Sequence, residues 1–347
     1  MLCIRRAWLL AALVTLPLAV GCKKDEEKKS EGSGAGATAA EKSGDIGKAM
    51  GGGAGQAAQA SADLDMIPVD SEIVAGVNFA QLQQSALWQK NIMPKLATGN
   101  FLAELGKLKS NCGFDPMVAI KTISIGLKDI GAGKPQVVAV VHGLDKAKTM
   151  ACLDNQKIKD DLATDKVEVQ KDGDVALLLD RREGNNAAVK FVDDSTCVVV
   201  VGGKATKDGI QGVIDGKSAL RTSPAFVDMY GKLNPQDSVW ALVNGGMKGL
   251  EKLTALLGLK PKALFGTINV TDGLTADLRM RVDSPSQAAE TAAGLSQQVG
   301  MAKQFVDNIG VTSEGADVKL TLAISNAKLM ALAQMGKSGG LGGMGGM

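Results

Sequence analysis

The chain has 347 residues, 45% hydrophobic and 22% charged, a globular balance long enough for one large domain or two small ones. Its 39 basic and 37 acidic residues nearly cancel, and aromatic residues make up only 3%, with a single tyrosine, Tyr230. Neutrality removes the electrostatic footprint of a nucleic-acid binder, and the shortage of rings weakens stacking as a mode of recognition.

Residues 1–22 read MLCIRRAWLLAALVTLPLAVGC. Arg5 and Arg6 precede an apolar run over 7–20 that is too short to span a bilayer core comfortably, and Gly21 and Cys22 follow it. This is the layout of a secretory signal. Residues 18–22 resemble the lipobox of bacterial lipoproteins: Val20 and Gly21 fit the pattern, Ala19 stands where leucine is usual, and Leu18 is one step earlier. The resemblance implies that the signal 1–21 is removed and that Cys22 is acylated as the mature N-terminus. It also implies a membrane partner reached through the N-terminal lipid. Because Lys23 rather than aspartate follows the cysteine, the membrane it implies is the outer one. Several acyl chains hold a protein stably where a single chain holds it marginally. Without Arg5 and Arg6 the 39 basic residues fall to 37, equal to the acidic count.

Residues 22–62 read as a disordered tether. After Cys22, large apolar side chains are nearly absent, apart from Ile46 and Met50, so the stretch cannot bury enough surface to offset its ordering entropy. A Gly/Ser/Ala-rich coil of this length has an r.m.s. reach of roughly 35 Å. Residues 337–347, KSGGLGGMGGM, read as a second flexible tail.

Between them, 63–220 and 221–336 read as two related antiparallel-sheet-plus-helix units, an α+β fold from internal duplication. Each opens on Pro-x-Asp-Ser, at Pro68 and Pro235, and runs strand, helix, hairpin, helix, hairpin, helix. In the first unit the strand is 73–77 and a helical pattern covers 82–108. A hairpin pairs 120–127 with 137–141, and a helix covers 145–155. A second hairpin joins 167–169 to 174–179, an extra hairpin joins 187–192 to 196–201, and a helix over 205–214 closes the unit. In the second unit the strand is 239–243 and the helix 247–257. A hairpin pairs 264–270 with 274–282 across Thr271-Asp272-Gly273, an Asp-Gly turn. The helix over 284–298 starts on Ser284 as cap with Pro285 at its first position. A hairpin joins 311–312 to 317–324, and a helix over 327–334 ends the unit. The segments GDVALLL (173–179) and ADVKLTL (316–322) align without gaps.

Chemistry-bearing motifs are few. The one histidine, His142, closes the run VVAVVHG; a His–carboxylate couple and a structural strand-end histidine are both open readings. One histidine gives no basis for a multi-histidine metal site. GLKDIG at 126–131 has phosphate-loop spacing, but Ala132 stands where lysine is required. Val201-Gly202-Gly203-Lys204 leads a strand toward a helix, the setting of an anion site, but lacks the remaining glycines. No serine lies in a Gly-x-Ser-x-Gly context. Ser325 and Lys328 have the spacing of a Ser–Lys pair without its partner motifs, and helix capping explains Ser325. Asp193 and Asp194 read as solvated turn residues. The sequence therefore nominates no catalytic, cofactor-binding or metal-binding residue, and the expectation is a protein that is not an enzyme.

Cys3 leaves with the signal. Cys112 lies before the strand 120–127 and Cys152 after its partner 137–141, so the outer ends of that hairpin bring them near each other. A Cys112–Cys152 disulfide, allowed by an oxidising compartment, and three unpaired buried thiols both stay open. Cys197, inside the apolar run 196–201, reads as a buried free thiol in either case. Three functions follow as expectations: an envelope protein with a non-enzymatic binding or assembly role and an envelope protein partner, a carrier of a lipid or other apolar ligand, or a hydrolase with a non-standard site.

Overall fold

The computed structural model describes residues 62–94, 100–130, 134–247, 250 and 258–337. The signal, Cys22, nearly all of the tether and residues 338–347 of the tail lie outside the described residues, as does most of the helix expected over 247–257. No helix among the described residues is long and apolar enough to cross a membrane.

Twelve strands form one antiparallel sheet. In chain order they are β1 (Ile73–Asn78), β2 (Thr122–Lys128), β3 (Gln136–His142), β4 (Val167–Asp172), β5 (Val175–Asp180), β6 (Ala187–Phe191), β7 (Thr196–Val201), β8 (Val239–Asn244), β9 (Ala263–Val270), β10 (Leu274–Arg281), β11 (Asn308–Glu314) and β12 (Asp317–Ile324). They lie side by side as β11-β12-β10-β9-β8-β1-β2-β3-β7-β6-β5-β4.

This arrangement overturns the expected pair of α+β repeat units. β1 and β8, the opening strands of the two expected units, pair antiparallel from Ile73 opposite Val243 to Val77 opposite Val239. The sheet is therefore continuous through its middle. Strand order differs as well: β3 is flanked by β7, whereas β10 is flanked directly by β12. The physical reason is edge chemistry. With β2 beside β1 and β9 beside β8, each opening strand keeps one row of unpaired backbone groups, and joining the rows removes two exposed edges. Hydrophobic alternation identifies strands but does not name their neighbours.

Helices pack on both faces of the sheet around β3 and β7. α1 (Phe79–Gln84), α2 (Asn100–Cys112), α3 (Pro116–Ala119), α4 (Lys146–Asp154) and α5 (Gln156–Thr164) lie on one side. Phe79, Leu105, Met117, Leu153 and Ile158 from these elements pack on Ile123, Ile125, Val137, Val141 and Val199. On the reverse side, α6 (Lys207–Ile214) seats Ile210 and Val213 on Val138, Val198 and Val200. α7 (Pro224–Tyr230) brings Phe226 to Trp240, Leu242 and Phe265, with Leu64 and Ile67 from the start of the fold. Cover on both sides explains why β7 is buried at every residue and why its sequence, TCVVVV, does not alternate.

The last strands differ. β10 reads LTADLRMR, and its two faces have opposite character. On one face Arg279 is paired with Asp277 and Glu314. On the same face Arg281 donates to Asp317, with Nε–Oδ1 at 2.7 Å, and Lys232 reaches Asp317 at 2.6 Å. Burial opposes the Asp317 charge, but Arg281 and Lys232 outweigh it and hold its pKa below the ordinary carboxylate value. The other face is apolar. α8 (Pro285–Gln298) covers part of it through Ala288 and Ala292, which pack on Met280, Val282 and Val318. α9 (Asn326–Lys337) follows the final strand.

Candidate functional site

The apolar face of the C-terminal strands carries a trough whose origin is visible in the strand register. Ala75 of β1 faces Ala241 of β8, Ala241 faces Gly266 of β9, and Gly266 faces Leu278 of β10. Three of the smallest side chains thus stand in one row across three strands. The rows on either side are bulkier on β8 and β9: Ile73, Val243, Leu264 and Met280 on one, Val77, Val239 and Ile268 on the other, which ends on the small Ala276 of β10. A hollow forms between them, of about 480 Å³, lined as well by Leu278, by Leu320 and by Leu295 of α8. Small-molecule sites run from about 300 to 1,000 Å³, lined mainly by apolar groups.

Gly266 is fixed by its neighbours. A Cβ there would strike the Asp277 carbonyl oxygen and approach the Leu278 Cδ2 at 2.9 Å, so a side chain would push the strands apart. Leu278 is 41% exposed, high for a leucine in the middle of a sheet. The nearest fixed charge, Arg279, is only 7% exposed. Burial works against its charge, while Asp277 and Glu314 outweigh that effect and raise its pKa. Its charge is balanced by these two carboxylates.

A polar cluster lies elsewhere. Asp63 is 1% exposed and accepts from Ser124 Oγ at 2.6 Å through one oxygen. Its other oxygen lies 2.8 Å from His142 Nε2, and His142 Nδ1 lies 3.1 Å from Thr196 Oγ1. The neutral tautomer that donates to Asp63 accepts from Thr196, so all four groups are satisfied. The series hydroxyl, imidazole, carboxylate has the order of a catalytic relay. Thr196 is 6% exposed, however, and leaves a substrate no line of approach. The cluster instead ties the first described turn of the chain to β2, β3 and β7.

No family model, curated protein or solved structure matches the chain.

The remaining residues singled out in the sequence fall as follows. Cys112 and Cys152 form a disulfide with Cα atoms 4.6 Å apart, tying α2 to α4. Beside it Asn155 Nδ2 donates to the Asn111 carbonyl at 2.9 Å. Cys197 is a buried free thiol whose pKa burial pushes up to about 12, too high for a nucleophile at neutral pH. Lys204 and Gly209 border a hollow beside α6, where Thr206 already caps the helix by accepting from the Gly209 amide. Asp193 accepts from the Ser195 and Thr196 amides, as a turn residue does. No group of metal-ligating side chains occurs among the described residues. Sequence reasoning missed Asp63, Ser124 and Thr196, and it missed the trough.

The disulfide carries a stability prediction. It closes a loop with a sequence separation of 40, so Cys112→Ser is expected to cost about 2–4 kcal/mol through the entropy of the unfolded chain. Urea unfolding of the oxidised protein and of Cys112→Ser measures this, and an unchanged midpoint refutes it.

Proposed function

We propose that the chain is a lipid-anchored protein of the bacterial cell envelope, held at the outer membrane through Cys22, with a non-enzymatic binding role. The trough over Ala241 and Gly266 is its binding surface. The observation that carries this reading is the trough itself, an apolar hollow of about 480 Å³ on a sheet whose reverse side is covered or ionic. Gly266 is held small by the close approach of β10, but a fold that needed only a filled core would place a larger side chain at Ala241. The carrier reading gains from the same hollow, because concave apolar sites hold small ligands. Hydrolysis gains nothing from it, since no nucleophile or base borders the hollow among the described residues.

The test is made in envelopes. Mass spectrometry of the mature N-terminus is expected to find acylated Cys22, and Cys22→Ser is expected to move the protein into the aqueous phase. A photo-crosslinker at position 278 is expected to capture an envelope component that one at Val227, exposed on α7, does not. A mature chain starting elsewhere, or the same capture from both positions, sinks the reading.

A further inference from the structure

Resting on the trough as the binding surface, we infer that its occupant is a single hydrocarbon chain, the acyl tail of an envelope amphiphile. Three observations converge. The first is shape. A row of small residues, Ala241 and Gly266, flanked by Val, Ile, Leu and Met makes a narrow furrow across β8 and β9. A furrow one residue wide suits an unbranched chain better than a ring system.

The second is chemistry. The backbone groups of β8, β9 and β10 are spent on their ladders, and apart from Arg279, whose guanidinium is paired with Asp277 and Glu314, the side chains lining the furrow from these strands carry only carbon, hydrogen and the Met280 sulfur. An extended peptide laid there would bury N–H and C=O groups without partners. A methylene chain has no such groups. The headgroup would remain outside, because nothing in the furrow can pair with it.

The third is place. The proposed acylation of Cys22 would hold the fold at a membrane surface. The furrow would therefore stay within a short distance of membrane lipid, where the effective concentration of acyl chains is high.

The experiment uses the mature chain with Cys22→Ser, purified without detergent. Octanoate, decanoate, dodecanoate and tetradecanoate are titrated calorimetrically below their critical micelle concentrations. Affinity is expected to rise roughly fourfold per added methylene until the furrow is full, and then to level off. Ala241→Ile fills the furrow from a strand position and is expected to weaken dodecanoate binding by about tenfold or more. Leu278→Ser tests the lip in case the first variant folds poorly, since Leu278 is already 41% exposed. Weakened binding in either folded variant supports the inference. Absence of binding, binding without chain-length dependence, or affinity unchanged from the parent chain in both folded variants overturns it. If acyl chains fail while position 278 still captures an envelope protein, the hydrocarbon occupant is wrong and the binding role stands. If both fail, the binding role falls as well.

Discussion

Replacing Trp240 with alanine is expected to lower stability by about 3–5 kcal/mol, enough to remove much of the margin of an ordinary domain. Trp240 is 2% exposed on β8, directly opposite Gly76 of β1. Its indole lies flat across that glycine, so closely that a Cβ at position 76 would overlap the ring. The ring also meets Tyr230 edge-on with centroids 5.2 Å apart, and Tyr230 stacks on Phe226 at 5.9 Å. The alanine variant would leave a hollow at the seam that joins the two stretches of sheet. Gly76→Val should do comparable damage from the other side by expelling the indole. Urea unfolding measures both, and a loss under about 1 kcal/mol for Trp240→Ala would show that the seam does not depend on this side chain.

The same seam shows what the sequence could and could not reveal. The strands were legible because their signals are local. Thr271-Asp272-Gly273 marks the turn between β9 and β10, and Ser284 with Pro285 marks the start of α8. α7 opens on Ser223 and Pro224, the same signature, and was overlooked because only seven residues follow it. α5 was hidden because Asn155 ends α4 and caps α5 at once, with no loop between them. Nothing local announces that β1 pairs with β8. Gly76 and Trp240 are far apart in sequence, and each alone reads as an ordinary strand residue. The trough was illegible for the same reason, because it exists only when Ala241 and Gly266 stand in one row. The disulfide was half legible: hairpin geometry placed the strand ends, while the path of α2 and α4 beyond them depends on packing against β3 and β7.

Asp63→Ala is expected to cost about 3–5 kcal/mol although it removes only a carboxylate, because the partners it leaves are buried. Ser124 is 2% exposed and His142 8%, so neither recovers a water when the acceptor is lost. Asp63→Asn should cost less. Its amide oxygen still accepts from His142, and the Ser124 hydroxyl can rotate to accept from the amide nitrogen. His142→Ala leaves the opposite fault, a buried carboxylate with one partner instead of two. A double-mutant cycle over Asp63 and His142 is therefore expected to be strongly non-additive, as it is for groups in one network. The damage should also be local before it is global. Asp63 opens the segment that carries Leu64 and Ile67, 3% and 0% exposed, against Trp240 and Phe265. Amide exchange at Leu64 and Ile67 is expected to speed up in Asp63→Ala at denaturant levels where β3 and β7 remain protected. A second readout is Tyr230, whose phenol pKa is raised to about 12, first by burial and then by the Asp63 charge. Loss of that charge should lower the Tyr230 titration midpoint. An Asp63→Ala variant with unchanged stability and unchanged exchange at Leu64 would show that the cluster does not fasten the start of the fold to the sheet.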